Sequence, residues 1–166
     1  MARKIKDVCV IAPGYPYNDD PFFAFIRPVV SAMADAGCNC TVIAPQSVSA
    51  LPDKKKRIRP EEWYDISDGG QKIRVLQPKI LTFSNVRIRG YLLTGIVQMK
   101  ATLRCFNKYV KTTDCFYAHF WRSAVIAANI AQDQNIPVYV VTGESTVNLT
   151  SLYPYSYIEK YLPMFK

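Results

Sequence analysis

Five short apolar runs, each broken by polar residues, proline or glycine, punctuate this chain: "DVCVIAP", "CTVIAP", "KIRVLQP", "DCFYAH" and "IPVYVVTG". The first two are apolar on both faces and predict buried strands, as in a parallel sheet; "KIRVLQP" predicts a third, shorter strand, and "DCFYAH" and "IPVYVVTG" a fourth and a fifth. The stretches between them carry a different period. From Phe22 to Ala36 the residues Phe22, Phe25, Ile26, Val29, Val30 and Met33 recur at helical spacing. Asn18, Asp19 and Asp20 are candidate N-caps, Pro21 suits a first turn, and Gly37 a C-cap. Pro28 inside that run predicts a kink or a late start, because it lacks the N–H that an inner turn needs. Gly90 to Lys111 carries Leu92, Leu93, Ile96, Val97, Met99, Leu103, Phe106 and Val110, a long amphipathic helix. Trp121 to Gln134 is a third helix, and "YSYIEKYLPMFK" begins a fourth.

The alternation predicts an α/β fold: one Rossmann-like parallel sheet of order 3-2-1-4-5 with helices on both faces, spanning 1–166. Gln46 to Gly70 is irregular and reads as a long loop. In such sheets ligands bind beyond the carboxyl ends of the strands, where the order reverses. The first strand ends at Pro13-Gly14-Tyr15, the fourth at the single histidine, His119, and the fifth at Gly143-Glu144. One crevice would therefore gather all three ends. A histidine at a strand end also serves simply to hydrogen-bond a carbonyl, a glutamate at a loop start to face water, and "PGYPY" to make a rigid turn.

Length and composition narrow the chemistry. A chain of 166 residues, 49% of them hydrophobic, can bury one core. The formal charge of +8 points to an anionic partner or to a solvated basic face. The cysteines Cys9, Cys38, Cys40, Cys105 and Cys115 show no C-x-x-C spacing, which predicts reduced thiols in a cytoplasmic protein and no zinc site. No G-x-G-x-x-G, Walker A or G-x-S-x-G motif is present, which removes the main support for a dinucleotide, a P-loop or a nucleophile elbow. No run is long enough to span a bilayer.

Four segments carry a family resemblance: "VCVIAPGYPYNDDPFFAFIRPVVSAMADAGCNCTVIAP", "KKKRIRPEEWYDISDGGQKIRVLQPKILTFS", "DCFYAHFWRSAVIAANIAQDQNIPVYVVTGES" and "YSYIEKYLPMFK". In order and spacing they resemble the N-terminal domain of family 4 glycosyltransferases, one half of a GT-B enzyme. The resemblance implies retaining transfer of a sugar from a nucleotide-sugar donor to a glycan or lipid-linked acceptor, with no metal or other cofactor. It implies that this domain binds the acceptor, that a separate C-terminal domain binds the donor, and that 1–166 ends before the domain's last strand and has no turnover alone. Two departures stand out. Phe22-Phe23-Ala24 occupies the place of the glycine pair that many members carry after the first strand. Glu144, within "TGES", stands where many carry a histidine, while His119 matches the end of the fourth strand. Glu144 and His119 are the catalytic candidates, and Gly14, Tyr15, Phe23, Trp121 and Ser145 the candidate substrate contacts.

The basic run Lys54, Lys55, Lys56, Arg57 and Arg59, followed by Trp63 and Tyr64, is a candidate contact for an anionic membrane at the inner face; a solvated loop has the same composition. Two rival functions are another nucleotide-sugar enzyme such as an epimerase, and a non-catalytic basic module. The absent glycine fingerprint counts against the first. For the second, a nucleic-acid partner finds no support, since no RNA-binding motif occurs and the aromatics fall mainly at core-like positions or strand-end loops.

Overall fold

The structure is a computed structural model that describes residues 5–18, 20–49, 58–132, 134–143, 156 and 159–165. In chain order the elements are β1 (Asp7–Ile11), α1 (Ile26–Asp35), β2 (Asn39–Ile43), β3 (Gln46–Ser47), β4 (Glu62–Ile66), β5 (Lys72–Leu76), β6 (Lys79–Ile80), β7 (Arg87–Ile88), β8 (Tyr91–Leu92), α2 (Leu93–Cys105), β9 (Cys115–His119), α3 (Trp121–Ala131) and β10 (Val138–Val141). A π-helical turn, Phe106–Val110, extends α2, and a 3-10 turn covers Leu162–Met164.

The five apolar runs form the parallel body of one sheet, ordered β10-β9-β1-β2-β5. In run order that is 5-4-1-2-3, the expected arrangement. β4 extends the sheet beyond β5 as an antiparallel edge strand, in register from Glu62 opposite Leu76 to Ile66 opposite Lys72. This strand lies inside the stretch read as an irregular loop. Its residues alternate exposed and half-buried, as an edge strand with one covered face requires.

The sheet separates two cores. Val8, Val10, Val42, Ile73, Val75, Cys115 and Tyr117 face α1, whose Ile26, Val30 and Ala34 are buried against them. Cys9, Ile11, Ile43, Leu76, Phe116 and Ala118 face α2 and α3. The period of two along each strand makes this division.

Pro28 delays α1 rather than kinking it. The helix starts at Ile26, so Pro28 is its third residue, where its missing N–H breaks no helical bond. Phe22 and Phe25 precede the helix and are half exposed, as is Val29 to a lesser degree, instead of lining the core. At the other end Gly37 has φ +91°, and the N–H groups of Gly37 and Cys38 donate to the carbonyls of Ala34 and Met33. That is the Schellman closure, and it turns the chain into β2.

Candidate functional site

The reversal of strand order lies between β1 and β9, where Ile11 pairs with Ala118. Beyond Ile11 the chain passes through Ala12, Pro13 and Gly14, and all but Pro13 of these are buried. A Cβ on Gly14 would lie 2.6 Å from Phe23 Cδ2 and 2.8 Å from the Phe22 ring. The glycine is therefore a seat for two aromatic rings. Phe22 and Phe23 stand where the family resemblance implies a glycine pair.

His119 ends β9 on the α1 side and is 7% exposed. Its ring centroid lies 4.6 Å from that of Phe120 and 5.2 Å from that of Phe25, and Phe25 in turn contacts Phe23 at 5.7 Å. Tyr117 Oη lies 3.2 Å from His119 Nδ1. Burial raises the Tyr117 pKa and lowers that of His119, so the phenol stays protonated and the imidazole is neutral at pH 7. A donating phenol would make Nδ1 the acceptor and place the ring hydrogen on Nε2.

The backbone beside this ring is unusual. Phe120 has φ 69° and ψ 157°, a region that glycine almost alone occupies, and Phe23 has φ 58°. Phe120 N–H donates to the Val141 carbonyl and its own carbonyl accepts from Ala124 N–H, at 2.9 and 3.0 Å. The residue thus joins β9, β10 and the first turn of α3, which has no side-chain cap.

Of the sequence candidates, Gly14, Phe23 and His119 come together on this rim. Val141 pairs with His119, so the chain leaves β10 beside the histidine. Glu144 and Ser145 lie outside the described residues, as do Lys54, Lys55, Lys56 and Arg57. Three other candidates are placed differently. Tyr15 is fully buried, with its hydroxyl donating to Asp65 Oδ2 at 2.9 Å and its ring 6.0 Å from that of Trp63. Burial and the Asp65 charge hold its phenol protonated. It is a structural side chain, not an open substrate contact. Trp121 packs on the α2–α3 side of the sheet, 5.6 Å from the Phe165 ring, and so does not share the His119 surface. Arg59 is 8% exposed and turned inward, where its guanidinium donates to the Tyr15 carbonyl and pairs with Asp20. It is therefore not part of an exposed basic face.

The neighbours of His119 that sequence reading passed over are Phe25, Phe120 and Tyr117. Tyr117 is two residues back on the same strand and so shares the histidine's face, a signal present in "CFYAH". Among the described residues no three His, Cys, Asp or Glu side chains gather where a metal could be held, and no helix is long and apolar enough to cross a membrane.

No family model matches the chain, and no curated protein matches it by sequence. Solved structures do match. Sucrose-phosphate synthase from Thermosynechococcus elongatus is 14% identical with a TM-score of 0.51, over 84% of this chain and 64% of that one. The catalytic domain of starch synthase IV from Arabidopsis thaliana, bound to ADP and acarbose, is 12% identical with a TM-score of 0.52, over 84% of this chain and 34% of that one. The chain has the mixed α/β, mostly parallel fold of these GT-B glycosyltransferases and spans less than two thirds of either.

Proposed function

We propose that the chain is the N-terminal, acceptor-side domain of a GT-B glycosyltransferase, in which a second domain binds a nucleotide-sugar donor. The observation that carries this reading is the meeting of the Gly14 loop, the Phe23–Phe25–Phe120 rings and a neutral His119 at the reversal of strand order. Loops at such a reversal are where α/β sheets bind ligands. Phe22 and Phe25, each about half exposed, offer an apolar floor on which the hydrophobic face of a sugar ring or the first carbons of a lipid-linked acceptor would rest. His119 Nε2–H would donate to an acceptor or donor hydroxyl. Glu144, which follows the end of β10, would supply the carboxylate that accepts from one.

Within this reading the transfer retains anomeric configuration, as the family 4 resemblance implies, and needs no metal. The lysine-rich segment 54–57 would rest on anionic lipid at the cytoplasmic face. The parallel bridge of Phe165 to Val138 supports a further strand outside β10. The fragment alone has no turnover, because the donor site belongs to the other domain.

The test is transfer or hydrolysis assayed on the full-length protein with a panel of nucleotide sugars. Glu144→Ala should lower kcat about a hundredfold, a usual magnitude for losing a group that moves a proton in the transition state. The exposed Glu159→Ala should leave it unchanged. Equal effects of the two, or no activity toward any nucleotide sugar, would remove the reading.

A further inference from the structure

A second candidate site lies three strands away from His119 and on the opposite face of the sheet. A cavity of about 250 Å³ opens between the β4–β5 edge and the α2 helix. Its floor is apolar: Leu76, Pro78, Ala101 and Cys105. Its rim is charged, with Glu61, Glu62 and Lys79 on the strand side and Arg104, Lys108 and Tyr109 on the helix side.

The sequence builds this space in a readable way. Ala101, Arg104, Cys105 and Lys108 follow one another at helical intervals, so they share one face of α2 and its extension. Two of them are small, which keeps the floor open where larger side chains would fill it. The π-helical turn Phe106–Val110 then widens the backbone, and Arg74 fixes it by donating to the Tyr109 carbonyl at 3.0 Å.

The charges select the occupant. Both carboxylates already have cations: Glu62 pairs with Arg74 at 2.9 Å and Glu61 with Lys79 at 3.4 Å. Arg104 and Lys108 have no ion-pair partner among the described residues. The site therefore carries surplus positive charge, while the carboxylate oxygens retain lone pairs for hydroxyl donors. An apolar floor, hydrogen-bond acceptors on one wall and, on the other, two cations without a carboxylate partner, of which Lys108 lies 4.7 Å from the centre of the Tyr109 ring, suit a small polyol bearing an anion.

We propose that this cavity binds a hexose carrying one anionic group, with Arg104 and Lys108 taking the anion and Glu61 and Glu62 the hydroxyls. The proposal rests on this cavity alone and does not require the glycosyltransferase reading. The experiment is equilibrium binding by calorimetry, without turnover, of glucose 6-phosphate, glucuronate, glucose and inorganic phosphate to the full-length protein. At least one of the two hexose anions should bind saturably and more tightly than glucose or phosphate. Arg104→Gln with Lys108→Gln should raise its Kd roughly tenfold, as expected for losing two charge-assisted hydrogen bonds at a partly exposed site. Ala101→Leu, which fills the floor, should abolish binding. All variants should melt near the wild-type temperature. Failure of both hexose anions to bind, inorganic phosphate binding as tightly as either, or affinity unmoved in the Arg104/Lys108 and Ala101→Leu variants would overturn the proposal.

Discussion

Replacing Arg59 with methionine tests whether this residue holds the fold together or belongs to the basic surface formed by its sequence neighbours. Methionine keeps most of the aliphatic stem and removes the guanidinium. Two bonds are lost, one to the Tyr15 carbonyl and one to Asp20. The Asp20 side chain is 52% exposed, so water takes over much of that ion pair and its loss costs little. The Tyr15 carbonyl belongs to a fully buried residue, and a charged hydrogen bond of that kind is worth about 1.5–3 kcal/mol. The backbone of Arg59 keeps its own anchors, since Gln46 both accepts from its N–H and donates to its carbonyl. The net expectation is a loss of about 2 kcal/mol, or a fall in Tm of roughly 4–8 °C for a chain of this size. Urea denaturation should show a lower midpoint at unchanged slope, and sedimentation with anionic vesicles should be unaltered. A variant with wild-type stability and weakened vesicle sedimentation would show that Arg59 acts at the surface and would refute the reasoning.

Two further predictions concern the rim. Burial lowers the His119 pKa below its usual value of 6.5, so the unfolded chain takes up the proton first. Stability should therefore be unaffected by this group above that value, decline as pH falls through it, and level off below the folded pKa. His119→Gln should flatten that part of the stability–pH curve measured by urea midpoints, and an unchanged slope would contradict the burial. Gly14→Ala should cost about 1–3 kcal/mol, because the new methyl lands on the Phe22 and Phe23 rings and the rings must shift; a wild-type melting curve would mean that they move freely.

The strand order could be read from the sequence because the parallel strands are short, mostly apolar runs bounded by proline, glycine or polar residues and alternating with helical periods, the pattern of a parallel sheet with helical crossovers. β4 escaped because "EWYDI" alternates and carries two acids, yet the Asp68-Gly69-Gly70 turn after it is a hairpin signal, and Gly70 has the positive φ of 86° that such a turn uses. Phe22 and Phe25 have the spacing of core residues, but the helix begins after them, a delay set by Pro28. Tyr15 and Arg59 were legible only as residue types. What fixes them is Asp65 for the one, and Asp20 and the Tyr15 carbonyl for the other. No local pattern in the chain announces partners separated by 50 and 39 residues.

Phe120 has one further consequence. Its dihedral angles disfavour every side chain by about 1–3 kcal/mol relative to glycine. A bare peptide unit would serve the bonds to Val141 and Ala124 equally well. Against what its backbone gives up stand the contacts of its phenyl group with Phe23, Phe25 and His119. Its position over the imidazole makes it the most informative place to ask whether this chain trades local comfort for a prearranged surface.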